Sequence, residues 1–294
     1  MKKKAIIGII IFLIIIILAL IFFLSKNTLA KKIVDELKNA KAFIDVKMSK
    51  EYQSLDTKKT YYINEKNIEI PILIYHEITS KEPSRDLYYM QTTVKRFEEQ
   101  IKGLLAEGYT FISYDDLVEY NNGNKALTEK TSLIGFDDGW IGNYENAFDI
   151  LKKYNVPAAI YVVDDLVGTP GYFSWEQAKQ MQDSGLVNIY SHGRTHIFYD
   201  KESNETLIND VKLSYQNIEK HTGKRKNKVF TYPYGAYRDD QIELLAKEGY
   251  IQNATDDEIN QSDNLNLKCL HRIYVKQNQS AYKIIKNINK INQK

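Results

Sequence analysis

From residue 67 onward, short runs of apolar residues alternate with longer segments that have the apolar spacing of a helix. This alternation predicts a parallel α/β fold, with buried strands joined by amphipathic helices. Roughly seven strand-helix units within about 210 residues exceed what a small doubly wound sheet needs, so we expect a distorted or incomplete (β/α) barrel. The clearest segments are the strand at IEIPILIYHEI (68–78), the strand at SLIGF (132–136), and the helices at 94–109 and 146–155.

The first residues have a different pattern. MKKK precedes an uncharged apolar run, residues 5–24, which is long enough to cross a bilayer as one helix. The lysines predict a cytoplasmic start and a single-pass membrane protein whose remaining chain is extracellular. The alternative is a signal peptide cleaved near Ala30, with secretion of the rest.

Four segments follow from these patterns. They are a cytoplasmic lysine cluster with its transmembrane anchor (1–24), a polar stalk or accessory segment (25–66), the α/β domain (67–278) and a C-terminal tail (279–294).

Composition narrows the chemistry. The formal net charge of +2 gives no reason to expect nucleic acid as a partner. Cys269 is the single cysteine of the chain, which excludes an internal disulfide and a Cys-rich zinc site. A metal site in this chain must therefore use His, Asp or Glu.

Polar residues follow the predicted strands, at the end where parallel barrels carry their chemistry. They are His76, the pair Asp137 and Asp138, His192 and His196, the Pro233-Tyr234-Gly235 turn, and His271. The remaining histidine, His221, falls in a Lys-rich helix end and is expected at the surface.

His192 and His196 are separated by three residues, a spacing that can chelate one metal ion. Two imidazoles and one carboxylate make a set that leaves ligand positions open for water. One aspartate of the Asp137-Asp138 pair can then be a ligand while the other stays free as a base. The alternative for Asp137-Asp138-Gly139 is a turn or a helix N-cap, which the nearby histidines disfavour.

Three motifs in order resemble the NodB-homology polysaccharide deacetylases, carbohydrate esterase family 4, over roughly residues 67–278. GFDDG matches the family's T-F-D-D-G, with Gly135 in place of Thr. HGRTH matches H-[ST]-x-x-H, with Gly193 at the second position. TYPYG matches R-x-P-Y-G, with Thr231 where the family has arginine. Several stretches also resemble the poly-N-acetylglucosamine deacetylase branch.

The resemblance implies a role for each matching residue. Asp137 would be the catalytic base, and Asp138, His192 and His196 would hold a divalent metal, usually zinc. The family's last motif would make His271 the general acid. The arginine missing at Thr231 orients the base in many relatives, so another group must do so here.

His76 and Arg272 are the candidates for that support. Tyr234, beside Pro233, is expected to donate its backbone N–H to the developing oxyanion. Trp140, Tyr172 and Trp175 are candidate sugar-stacking platforms, with core packing as the alternative.

The expected function is metal-dependent hydrolysis of N-acetyl groups on a GlcNAc-containing surface polysaccharide, either poly-N-acetylglucosamine or peptidoglycan. An O-acetyl sugar esterase would use the same carbonyl chemistry. A wall-glycan-binding protein with little or no activity is a further alternative, because the arginine is missing. A glycosidase is disfavoured, since two consecutive carboxylates cannot easily flank a sugar.

Overall fold

The fold described here is that of a computed structural model covering residues 61–62, 67–83 and 89–291. The predicted membrane anchor at 1–24 lies outside these residues, and so does almost all of the predicted stalk at 25–66. Within the described residues, no helix combines the length and the apolar character needed to cross a membrane.

The strands are short and mostly buried. In chain order they are β1 (Tyr61–Tyr62), β2 (Glu69–Ile70), β3 (Ile72–Tyr75), β4 (Glu77–Thr79), β5 (Gln91–Thr93), β6 (Thr110–Phe111), β7 (Leu127–Thr128), β8 (Thr131–Asp138), β9 (Ala158–Val162), β10 (Val187–Ser191), β11 (Lys228–Thr231), β12 (Tyr250–Thr255), β13 (Asn260–Gln261) and β14 (Leu270–Tyr274).

The helices follow the strands around the outside of the barrel. They are α1 (Val94–Ala106), α2 (Tyr114–Asn121), α3 (Phe148–Tyr154), α4 (Trp175–Asp183), α5 (Asn204–Thr222), α6 (Asp239–Lys247) and α7 (Ala281–Ile291). The predicted helix 94–109 ends earlier than expected, and Gly108 follows its end with a φ of +87°. A left-handed residue just past a helix is the usual way to stop it, and glycine adopts this conformation at little cost.

Seven parallel strands form a closed ring in the order β3, β14, β12, β11, β10, β9, β8. The ring closes where Ile72–Tyr75 of β3 pairs in register with Leu133–Phe136 of β8. The predicted barrel is confirmed, and the gap that an incomplete barrel would have is absent from the described strands. β6 pairs with the start of β8, and three two-stranded sheets are separate from the ring.

Two apolar clusters stabilise this arrangement. One lies inside the barrel and is formed by side chains at alternate positions of the strands, among them Ile72, Ile74 and Tyr161. The other lies between the barrel and its helices and includes Phe97, Ile101 and several residues of α7. Because all seven strands run in parallel, their carboxyl ends meet at one face of the barrel, where the polar residues of the sequence converge.

The C-terminal segment is more structured than expected. Within the predicted tail, Ala281–Ile291 forms helix α7, and Ile284 and Ile288 are buried against the core. The helix packs closely on α1, since a Cβ atom on Gly103 would lie 2.3 Å from Cβ of Ala281. The compact barrel unit therefore extends past residue 278.

This close approach predicts that Gly103→Ala changes the free energy of unfolding in the direction opposite to that expected from helix propensity. On helix propensity alone, Gly103→Ala would stabilise the chain by about 1 kcal/mol. Because the new methyl group collides with Ala281, we expect Gly103→Ala to destabilise the fold by about 1–3 kcal/mol instead. In an Ala281→Gly background the same change should become stabilising. Urea unfolding of the four variants measures the coupling, and strictly additive effects would contradict the packing.

Candidate active site

The aspartate pair stands at the end of β8, whose eight residues are all buried. Successive side chains of a strand point to opposite sides, so Asp137 and Asp138 have different neighbours. Asp138 and Gly139 both have left-handed backbone, with φ of +75° and +84°, which turns the chain sharply after the pair. The turn separates two carboxylates that would repel each other if they shared one environment.

Asp138 faces two imidazoles. Its Oδ1 lies 3.6 Å from Nε2 of His192 and 3.3 Å from Nε2 of His196. This oxygen is buried and has no hydrogen-bond partner among the described residues. The other carboxylate oxygen accepts a hydrogen bond of 2.9 Å from the indole Nε1 of Trp140. The carboxylate is thus held at one oxygen and presents the other to the two histidines.

The tautomer of His192 is fixed by its surroundings. Nδ1 lies 2.9 Å from the carbonyl oxygen of Thr231, which can only accept, so Nδ1 carries the proton and Nε2 has a free lone pair. Burial lowers the pKa of His192 to about 4, and the neighbouring aspartates only partly offset this. The imidazole is therefore neutral near pH 7, which is the form that binds metal ions.

These three residues fit a divalent cation. Their potential ligand atoms all lie within 4.8 Å of one another. Ligands at 2.0–2.2 Å from a tetrahedral ion are roughly 3.3–3.6 Å apart, which is the spacing found between Asp138 and the two imidazoles. A cation would also satisfy the orphaned Oδ1 of Asp138. Burial raises the pKa of Asp138, but the nearby histidines outweigh burial and hold the pKa well below its usual range.

Asp137 has a different partner. Both of its oxygens accept hydrogen bonds from the guanidinium of Arg272, at 2.8 and 3.0 Å. Arg272 is only 1% exposed, donates a further bond to Thr255 and lies over the ring of Tyr161. Burial raises the pKa of Asp137, yet the charge of Arg272 and the nearby imidazoles lower it below the ordinary value. Asp137 is therefore an anion at neutral pH.

The Asp137–Arg272 pair shows which arginine contacts the aspartate in place of the one missing at Thr231. Thr231 is buried, and its side chain meets Asn253, at 3.3 Å. Of the two candidates for support, Arg272 makes the contact, from β14 instead of β11. An arginine on β14 thus contacts the carboxylate that the arginine missing at position 231 was expected to orient.

Left-handed backbone concentrates at this site. Besides Asp138, His196 and Tyr234 have φ of +55° and +60°, a conformation that costs non-glycine residues of order 1–3 kcal/mol. The hydroxyl of Tyr234 lies 3.0 Å from Nδ1 of His196, and its ring stacks on Phe198. Tyr234 is 59% exposed, while Pro233 is buried. The turn predicted to contact substrate thus lies beside a potential metal ligand.

His76 and His271 were both expected near the pair, and the structure separates them. His76 follows β3, in the register next to Asp137. Its Nδ1 is buried with no hydrogen-bond partner among the described residues, and its ring packs edge-on against Tyr274.

His271 lies on the other face of β14, because its neighbour Arg272 points into the barrel. Its Nδ1 contacts Asp256 at 2.6 Å, and with Asp256 and Glu258 it forms a second, more exposed group of titratable residues. The structure does not bring His271 to the aspartate pair, so the general-acid role expected for it is not supported.

The three aromatic residues expected to stack on sugars have different environments. Trp140 and Tyr172 stack on each other with ring centroids 4.8 Å apart, and Trp140 touches Asp138. Trp175 instead stacks on His221 of α5, which gives it a packing role. The hydrogen bond from Trp140 to Asp138 was missed from the sequence. The one available signal was its position directly after Asp-Asp-Gly.

Comparison with known proteins gives a family match that spans these residues. The family profile described as polysaccharide deacetylase matches residues 124–252, which contain both aspartates and both histidines. Over these residues the chain is similar to the polysaccharide deacetylase family.

Individual relatives cover most of the chain. YxkH of Bacillus subtilis is 28% identical over 229 residues, 77% of this chain and 78% of that protein. The poly-beta-1,6-N-acetyl-D-glucosamine N-deacetylase of Staphylococcus epidermidis is 28% identical over 218 residues, 66% of this chain and 73% of that enzyme. The structure of the Streptococcus pyogenes deacetylase PplD, solved with acetate, superimposes with a TM-score of 0.69 at 26% identity, covering 76% of this chain and 99% of that one.

The Asp137–Arg272 pair predicts a large stability effect. Arg272→Gln leaves a buried carboxylate without its charge partner, so we expect a loss of about 3–5 kcal/mol in the free energy of unfolding. Arg96→Gln, which removes an arginine paired with Glu99 on the partly exposed side of α1, is the matched control and should cost much less. Urea unfolding near neutral pH measures both. Equal, small losses would contradict the burial of the pair.

His271 predicts a pH dependence of stability. The hydrogen bond that the His271 ring donates to Asp256 raises the pKa of His271, and burial only partly opposes this. The stabilisation is therefore present below the unfolded pKa of about 6.5 and is lost as the pH rises through the higher folded value. Since both groups are about one-third exposed, we expect Asp256→Asn to cost about 0.2–1 kcal/mol at low pH and little in alkaline solution.

Urea unfolding of wild type and Asp256→Asn on either side of the transition, together with an NMR titration of the His271 ring, measures this effect. Glu258→Gln, whose carboxylate is 3.8 Å from His271, is the control and should have a smaller effect. A loss that grows with pH would contradict the assignment.

Proposed function

We propose that this protein is a metal-dependent N-deacetylase of a GlcNAc-containing cell-surface polysaccharide, releasing acetate. The observation that carries the proposal is the separation of the two adjacent carboxylates. Asp138 presents an orphaned oxygen to two imidazoles, while Asp137 is held as an anion by Arg272.

Asp138, His192 and His196 would hold the ion, and zinc is the ion that this donor set favours. The chemistry that such an ion supplies when bound is polarisation of a carbonyl and acidification of water. The hydrogen bond from Trp140 keeps the second oxygen of Asp138 occupied, so this carboxylate offers one oxygen to the ion.

Asp137 is the base in this proposal. Its carboxylate is ionised at neutral pH, lies next to the ligand Asp138 in the chain, and is fixed by two hydrogen bonds. It would take a proton from the water that attacks the acetyl carbonyl. Arg272 prevents its carboxylate from rotating toward the ligands.

His76 replaces His271 as the candidate general acid. The amine that leaves must be protonated as the C–N bond breaks, and an imidazole suits this step near neutral pH. His76 follows the strand beside β8, at the position in register with Asp137. The aromatic neighbour Tyr274 limits how its ring can turn.

The substrate follows from relatives and from the rim of the site. Two of the proteins to which the chain is similar are named for deacetylation, one of them of poly-beta-1,6-N-acetyl-D-glucosamine. The stacked Trp140 and Tyr172 and the exposed Tyr234 offer aromatic surface to a sugar ring, and the backbone N–H of Tyr234 is the proposed oxyanion donor.

An O-acetyl sugar esterase remains a second candidate, because an ester offers the same carbonyl to the same groups. A protein that only binds the glycan is less well supported, since Arg272 supplies the charge whose apparent loss suggested inactivity. The apolar run at 5–24 supports a membrane-anchored, extracytoplasmic domain, where a surface glycan is accessible.

The proposal predicts acetate release from poly-β-1,6-N-acetylglucosamine by the full-length chain, lost on chelation and restored by added zinc. Removal of a general acid typically costs ~10²–10⁴ in rate, so His76→Gln should lower kcat by about that factor.

His271→Gln is the matched control and should retain near wild-type kcat. Chelator-resistant activity would contradict the metal, and loss of activity in His271→Gln alone would reverse the two histidine roles. A panel containing an O-acetylated sugar distinguishes the esterase.

A further inference from the structure

The two histidines of the site are joined by a short loop, Gly193-Arg194-Thr195, whose backbone is held on one side by the segment after β9. The carbonyl of Gly193 accepts a hydrogen bond of 3.1 Å from the backbone N–H of Asp164. The carbonyl of Arg194 accepts one of 3.0 Å from the backbone N–H of Asp165. Two of the three backbone carbonyls of this loop are therefore held by hydrogen bonds.

The N–H groups of the same loop are held from helix α5. Arg194 donates its backbone N–H to Oδ2 of Asp210 at 2.8 Å. Gly193 donates to the hydroxyl of Ser191, which in turn bonds the hydroxyl of Ser214 at 2.8 Å. Positions 210 and 214 are four apart and lie on one face of the helix. That face therefore contacts the loop directly through Asp210 and indirectly, by way of Ser191, through Ser214.

Tyr199 completes the arrangement. It is fully buried, and its hydroxyl donates to the same Oδ2 of Asp210 that receives the N–H of Arg194. Gly193 has a φ of +81°, and a Cβ atom there would lie 2.2 Å from the Tyr199 hydroxyl. The hydroxyl thus occupies the space that any side chain at position 193 would need, and a glycine at this position is required by the contact.

These contacts have a consequence for the imidazoles. His196 is in the left-handed region, which persists only where the surrounding structure imposes it. We propose that Tyr199 and Asp210 are positioning residues that hold the loop so that His192 and His196 converge on Asp138, and that they thereby set the affinity of the site for its cation. This inference rests on the proposed function, because it takes the site to bind a divalent ion.

The test is the dissociation constant for zinc, measured on the full-length chain by competition with a chromophoric chelator. Loss of a residue that supports metal ligands typically weakens metal binding by about 10–100-fold. We expect Tyr199→Phe and Asp210→Asn to weaken zinc binding within this range. At saturating zinc, kcat should fall much less than the affinity, because the reacting groups are unchanged.

Tyr215→Phe is the matched control. Tyr215 is also buried, lies on α5, and donates its hydroxyl to the backbone carbonyl of Val229 at 2.8 Å, away from the loop. It should lose stability much as Tyr199→Phe does, but bind zinc with wild-type affinity. This comparison separates positioning of the ligands from general weakening of the fold.

Wild-type zinc affinity in Tyr199→Phe and Asp210→Asn would overturn the inference, and so would equal weakening in Tyr215→Phe. Failure of the wild type itself to bind zinc would overturn the proposed function and is seen before any variant is made. If Tyr199→Phe does not fold, Asp210→Asn decides, because Asp210 is only half-buried and its replacement is isosteric.

Discussion

Two neighbouring carboxylates at the end of one buried strand cannot both be ionised unless each has its own positive or hydrogen-bonding partner. Asp137 takes the guanidinium of Arg272, and Asp138 faces two imidazoles and an indole N–H. The left-handed turn at Asp138 makes this division possible. Every other feature of the site follows from the need to bring these partners to one strand end.

The closed ring of strands meets this need. β14, separated from β8 only by β3, carries Arg272 into the barrel, and β10 ends in the loop that carries both histidines. β3 lies between β14 and β8 and delivers His76 beside Asp137. A sheet with an open edge at β3 would leave Asp137 without one of these neighbours. The closure of the barrel therefore also positions the residues proposed to be catalytic.

Much of this was predictable from sequence. The alternation of strands and helices predicted the barrel, and polar residues at strand ends predicted the aspartate and histidine cluster. The inward face of β14 was not predictable, because a shift of one residue exchanges His271 for Arg272. Close approaches, such as Gly193 against Tyr199, leave no local pattern at all. Helix α7 was missed although Ile284, Ile285, Ile288 and Ile291 have the apolar spacing of a helix, a pattern that was available in the sequence.

The central claim is that Asp137 acts as the base and Asp138 as a metal ligand. Zinc affinity measured together with kcat tests it most directly. The account predicts that Asp137→Asn binds zinc within a few-fold of wild type while kcat falls by ~10²–10⁴. It predicts that Asp138→Asn loses zinc affinity by at least about 100-fold, because a ligand is removed. Loss of zinc from Asp137→Asn, or wild-type zinc affinity in Asp138→Asn, would contradict it.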